Sequence, residues 1–136
     1  MRVTAPPLLT MACHCTGCQR MTASAFSLSI AIPAAGFEVT RGEPVIGGLH
    51  GKSRHFHCPH CKSWLFTRPE GLDDMVNLRA SMLDRSHWVA PYAETWRGEG
   101  FAWATTGAKH SFAGMPDPSV FPALIAEFAE HGSRPT

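Results

Sequence analysis

The chain has 136 residues, 44% of them hydrophobic, which is enough for one domain with a modest core and too little for a second. Residues 1–136 therefore read as a single domain. Twelve Lys and Arg against eleven Asp and Glu leave a net charge of +1, which argues against nucleic acid or an anionic membrane as partner and favours a small ligand. No apolar stretch approaches the roughly 20 residues of a membrane span, and Met1–Pro7 lacks the apolar core of a signal peptide, so the expected location is the cytoplasm.

In chain order, residues 25–32 place Phe26, Leu28, Ile30 and Ile32 on one face and small residues on the other. That is the period-2 pattern of a half-buried strand, and Pro33 is expected to end it. Weaker strand signals follow at 37–40, 53–57, 64–67 and 75–78, each bounded by Gly, Pro or Asp. Together they predict a mainly β protein built on a mostly antiparallel sheet. Residues 86–116 carry Trp88, Trp96 and Trp103 without a clean period, suited equally to a core or a pocket. Near the C-terminus, Asp117 and Pro118 offer an N-cap and first-turn proline, and Gly132 a stop. Between them Phe121, Leu124, Ile125 and Phe128 recur at i, i+3, i+4 and i+7, the one clear helix of the sequence, with these four residues facing the core.

Five cysteines are an odd number crowded into two short stretches, a poor arrangement for stapling a fold and a good one for gathering thiolates around an ion. Cys13, Cys15 and Cys18 fall within six residues, on an expected turn where Gly17 eases the bend. Cys58 and Cys61 form a second CxxC. Spacing alone allows a closed, structural site of Cys15, Cys18, Cys58 and Cys61, resembling a zinc ribbon. It equally allows an open three-thiolate site of Cys13, Cys15 and Cys18, and a third thiol just before a CxxC is wasted in the closed version.

The run Cys13-His14-Cys15-Thr16-Gly17-Cys18-Gln19-Arg20-Met21-Thr22-Ala23-Ser24-Ala25-Phe26, followed by Phe56-His57-Cys58-Pro59-His60-Cys61-Lys62-Ser63-Trp64-Leu65-Phe66, resembles the glutathione-dependent formaldehyde-activating enzyme family, which includes the centromere protein V domain. Further likeness lies in residues 37–43, in Asn77-Leu78-Arg79-Ala80 before Leu83-Asp84, and in residues 105–112. The resemblance implies an Mss4-like fold of antiparallel sheets with zinc-binding cysteine loops and one C-terminal helix. It makes Cys13, Cys15 and Cys18 the catalytic zinc ligands, with an exchangeable fourth position, and Cys58 and Cys61 half of a structural zinc site. The family's other half is a CxCG on a first strand, and no cysteine precedes Cys13. Arg2-Val3-Thr4 looks like the tail of that strand, so the chain reads either as begun late or as having lost that site, with Cys58 and Cys61 holding zinc weakly, borrowing His57 or His60, or staying free. Ala23 and Lys62 stand where the family has glycines.

The implied activity is that of a carbon–sulfur lyase or synthase, with Zn2+ as cofactor and glutathione as cosubstrate, acting on the glutathione adduct of formaldehyde or a similar small electrophile. Zinc lowers the pKa of a bound thiol, and three soft thiolate ligands favour thiol exchange over water activation. Gln19 to Phe26 is expected to wall the pocket, with Arg20 offered to a substrate carboxylate against the alternative of a solvated surface charge. His14, between two ligands, is expected to point away and brace the loop. His55 and His57 share a strand face as satisfied polar residues, and His110 is expected at the surface. The competing readings are a non-catalytic zinc module that binds a protein or other macromolecule and, last, a redox CxxC at Cys15 and Cys18, which lacks the expected βαβ context. Oligomeric state leaves no mark in the sequence.

Overall fold

The computed structural model describes residues 1–48 and 50–136. It is mainly β, as expected. Among the described residues ten strands run β1 (Arg2–Val3), β2 (Leu9–Cys13), β3 (Ser27–Pro33), β4 (Phe37–Glu38), β5 (Val45–Gly47), β6 (Arg54–His57), β7 (Trp64–Arg68), β8 (Met75–Arg79), β9 (Ala93–Thr95) and β10 (His110–Ser111), with helices α1 (Thr16–Thr22) and α2 (Phe121–His131). Eight strands form one sheet in the order β10-β9-β2-β3-β8-β7-β6-β5, and β1 pairs with β4 in a small second sheet. The sheet is antiparallel from β2 to β5, but β9 runs parallel to both β2 and β10. Among the described residues no helix is long and apolar enough to cross a membrane.

Strand β3 explains the layering. Ile30 and Ile32 pack on one face with Phe37, Phe66, Val76 and Leu78, while Ala31 on the other face joins Leu9, Leu124 and Phe128 of the second cluster. Both faces are therefore covered, and β3 is not the half-solvated strand its alternation suggested. The small residues Ser27, Ser29 and Ala31 face the α2 side, where they leave space that larger side chains would fill. Pro33 is the last residue of the strand rather than its terminator.

Helix α2 starts as anticipated. Asp117 Oδ1 accepts the Ser119 N–H at 2.9 Å, and Pro118 opens a 3-10 turn over Pro118–Val120 before the helix proper. Leu124 and Phe128 are buried, and Gly132 donates its N–H to the Phe128 carbonyl at 2.8 Å. A methyl group on Gly132 would lie 2.1 Å from the Phe128 ring, so glycine is needed there for space. Of the three tryptophans in residues 86–116, Trp88 packs on the Ile30 cluster, Trp96 lines the cavity described below, and Trp103 is 74% exposed.

Candidate metal centre and its cavity

The β2–β3 connection carries the first three cysteines. Cys13 ends β2 in register with Ser27 of β3 and Thr95 of β9, so its backbone is fixed from both sides. The turn expected at Cys13–Cys18 is instead the entry to a helix, α1, from Thr16 to Thr22. Cys15 caps α1, its sulfur accepting the Cys18 N–H at 3.4 Å, and Thr22 Oγ1 donates to the Cys18 carbonyl at 2.8 Å. Ala23 closes the helix in the left-handed region at φ 50°. Gly17 lies inside the helix, and its missing side chain matters for packing, since a Cβ would come within 3.2 Å of His50. The seven-residue helix has no apolar periodicity to announce it.

This geometry gathers the three sulfurs within 4.8 Å of one another, the one group of three or more potential metal-ligating side chains among the described residues. Tetrahedral Zn–S bonds of about 2.3 Å put sulfurs about 3.8 Å apart, so a small contraction brings these thiols onto one ion. Without an ion they compete for one negative charge. Hydrogen bonds from Cys13 and then Cys18, with help from backbone N–H groups at the start of α1, pull the Cys15 thiol down to about 2. The same contacts push the Cys13 and Cys18 thiols up, Cys18 far above its ordinary value despite the Ser27 Oγ–H donated to it at 3.2 Å. Three thiols that share protons in this way form a donor set suited to a soft divalent cation.

The ligand loop is braced from behind. His14 is fully buried, its ring turned away from the cavity against Phe26, with Nε2 2.9 Å from Glu94 Oε2. Burial alone would push the Glu94 carboxyl up, but hydrogen bonds from Thr106 and Ser111, both 2.8 Å, and from His14 hold it below the usual range. The carboxylate acceptor places the proton on Nε2. Gly100 packs over the other nitrogen, where a Cβ would lie 2.9 Å from Nδ1. Gln19 Nε2 donates to the His14 and Glu99 carbonyls at 2.7 and 3.0 Å, and Glu99 Oε2 accepts the Thr16 N–H at 2.7 Å. Residues 94–111 thus clamp the loop to the sheet.

The three cysteines line one end of a cavity of about 810 Å³ between the sheet and the 115–125 segment. Strand register defines its floor. His55, Thr67, Asn77, Ala31 and Leu9 form one cross-strand row, with Arg79, Ser29 and Met11 in the next and Ser27, Cys13 and Thr95 beyond it. Met115, Phe121 and Ile125 supply the apolar roof. Phe121 and Ile125 therefore serve the cavity as well as the core. Trp64 and His55 are locked together: Trp64 Nε1–H donates to Thr67 Oγ1 at 3.1 Å, leaving the Thr67 hydroxyl to donate to His55 Nδ1 at 2.9 Å. His55 Nε2–H then donates to the His50 carbonyl at 3.0 Å, and burial holds this imidazole below its ordinary pKa.

The other anticipated residues lie elsewhere. Arg20 is exposed on α1, and no residue from Gln19 to Phe26 lines the cavity. The closed four-thiolate site of Cys15, Cys18, Cys58 and Cys61 is not formed. Cys58 and Cys61 sit on their own turn, where the Cys58 carbonyl accepts the Lys62 N–H at 3.0 Å. Exposed Cys61 is pulled down to about 7, first by its Ser63 side-chain contact at 3.2 Å. His57 meets the His55 carbonyl at 3.4 Å, and His60 is exposed. His110 is partly buried, its Nε2 3.0 Å from Glu127 Oε2. Arg79, Asn77, Trp64 and Glu94 went unnoticed as site residues. The available signal for two of them was the pair of polar side chains Asn77 and Arg79 at i and i+2 in β8, alternating with the apolar Val76 and Leu78.

The family described as glutathione-dependent formaldehyde-activating enzyme matches residues 1–99, which include all five cysteines, Glu94 and the sheet floor of the cavity. No curated protein matches the chain. With that match over most of its length and a cysteine cluster able to hold a metal, this chain belongs to the glutathione-dependent formaldehyde-activating enzyme family.

Proposed function

We propose that the chain is a zinc-dependent carbon–sulfur lyase or synthase acting on glutathione adducts of formaldehyde or a similar small electrophile. The observation that carries this reading is the placement of Cys13, Cys15 and Cys18 together at the end of a cavity large enough for a small peptide thiol. Zinc held by Cys13, Cys15 and Cys18 would supply the positive charge that keeps a substrate thiol ionised. The chain's own groups do the rest. Cys13 is fixed by two strands, Cys15 by amide N–H groups of α1, and Cys18 by the Ser27 hydroxyl, so the donor set is held before substrate arrives. The apolar roof lowers the polarity on one side of the sulfur while the cavity stays open to solvent.

In the synthase direction the substrate sulfur attacks the carbonyl carbon. The C–S bond forms as the C=O π pair moves to oxygen, and the proton given up by the thiol is returned to that oxygen through solvent. The lyase direction reverses each of these movements. Cys58 and Cys61 are proposed as a two-thiol half of a further metal position, weaker than the first because two sulfurs alone leave an ion half-coordinated.

The test is the exchange rate between 13C-formaldehyde and its glutathione adduct, followed by NMR with zinc-loaded protein. Acceleration over buffer that is abolished in Cys15→Ser supports the reading. An uncatalysed rate at one bound zinc per chain would overturn it.

A further inference from the structure

The floor of the cavity holds a cation that makes no salt bridge to a carboxylate among the described residues. Arg79 is 7% exposed and lines the cavity with the three cysteines. Among the described residues its hydrogen bond is Nη2 to the Asn77 carbonyl at 3.3 Å, and its Nε, fully buried, has no partner. The guanidinium lies over the Trp64 ring at 4.0 Å, a contact that orients the plane while leaving its N–H edge available. Two residues away on the same strand face, the Asn77 Oδ1 is also buried without a partner.

A buried guanidinium and a buried amide oxygen each cost free energy unless something completes them. Burial pulls the Arg79 guanidinium down to about 10, outweighing the attraction of Cys18 and Cys13. The two orphaned groups are complementary to one chemical pattern: an unpaired N–H donor on a cation suits a carboxylate, and an unpaired acceptor beside it suits an N–H. An amino-acid residue at the end of a peptide carries both.

We propose that Arg79 and Asn77 form the recognition site for the carboxylate and neighbouring N–H of an amino-acid thiol, setting the specificity of the cysteine centre for peptide thiols over simple mercaptans. This rests on the reading of the centre as a thiol site given above. The reach is suitable. Strand rise and strand spacing put the Arg79 and Cys13 Cα atoms about 12 Å apart, two residues along and two strands across. The guanidinium lies over Trp64 on the neighbouring strand and shares one cavity with the cysteines, which leaves room between them for a substrate whose carboxylate stands a few bonds from its sulfur. Arg79 touches substrate in this scheme but not the reacting atoms, so it acts on binding.

The test is calorimetric titration of the zinc-loaded protein with N-acetylcysteine, its primary amide, 3-mercaptopropionate and 2-mercaptoethanol. The wild type is expected to bind N-acetylcysteine at least tenfold tighter than the amide, which lacks only the charge, and tighter than 3-mercaptopropionate, which lacks the N–H. Arg79→Met should bring the acid down to the amide, Arg79→Lys should keep part of the preference, and neither should alter 2-mercaptoethanol binding. Equal affinities for acid and amide in the wild type would overturn the proposal without any variant. So would equal weakening of all four thiols in Arg79→Met, which would make Arg79 a counter-charge to the cysteines. Binding of 2-mercaptoethanol with no preference among the others sinks this inference alone, whereas failure of every thiol to bind sinks the thiol-site reading as well.

Discussion

Removing the Glu94 carboxylate tests whether the clamp behind the ligand loop holds the metal centre in place. In Glu94→Ala, His14 Nε2 loses its acceptor at a fully buried position, which costs about 1–3 kcal/mol because water cannot replace it. Thr106 is half-buried and Ser111 exposed, so their hydroxyls find water, and each loss adds about 0.5 kcal/mol. The expected sum is about 2–4 kcal/mol in urea unfolding of the metal-free protein. Glu94→Gln keeps an acceptor for His14 and should cost about 1 kcal/mol. Zinc affinity, measured by competition with a chelator, should fall about tenfold in Glu94→Ala, since residues that orient ligands from behind are worth that much. The pH dependence has a definite sign. Because the folded-state pKa of Glu94 is depressed below 4.5, its stabilisation is fully present above about pH 4.5 and is lost as pH falls through the folded value. Glu94→Gln should therefore flatten the acid limb of the stability curve. A Glu94→Ala protein within 0.5 kcal/mol of the wild type, with unchanged zinc affinity, would refute the clamp.

Four other outcomes are expected. Ala23 and Lys62 occupy left-handed backbone at φ 50° and 64°, a region that costs an L-residue about 1–2 kcal/mol, so Ala23→Gly and Lys62→Gly should each stabilise by about 0.5–1 kcal/mol in urea unfolding. Gly100→Ala drives a methyl to 2.9 Å from His14 Nδ1 and 2.5 Å from Arg97 Nη1, and should lower both melting temperature and zinc affinity. In the metal-free protein Cys61, exposed and pulled down to about 7, should be the first cysteine alkylated by iodoacetamide, at a rate that rises with pH through 7 as the thiolate forms, as read by peptide mass spectrometry. Glutathione should raise the melting temperature of the zinc-loaded protein, and should do so equally in Arg20→Ala, whose side chain is exposed outside the cavity.

The legible parts of the fold were those with strong local periodicity. Strand β3 and helix α2 declare themselves because their apolar residues repeat at the period of the structure they form, and β4, β6, β7 and β8 gave weaker signals bounded by turn residues. Strands β2 and β9 do not declare themselves. They are short, and β9 is defined by parallel partners distant in sequence, with Met11 opposite Ala93 and Cys13 opposite Thr95. The cysteine cluster was legible because metal-ligand spacing is local. The ligand-loop helix was missed because its cap is a cysteine sulfur, which no propensity rule anticipates. The expectation of a binding cation fell on Arg20 through its nearness in sequence to the ligands, whereas Arg79 reaches the cavity through register, beside Ser29 across one strand pair. Sequence neighbours of a ligand on a helix mostly point away from it. Neighbours across a sheet face share its side.

The most direct test of the central claim is zinc per chain in natively purified protein, compared among wild type, Cys18→Ser and the double variant Cys58→Ser/Cys61→Ser. If Cys13, Cys15 and Cys18 form the principal site, about one zinc persists in the double variant and is lost in Cys18→Ser. Zinc that survives Cys18→Ser and disappears with Cys58 and Cys61 would contradict that claim and move the metal to the other turn.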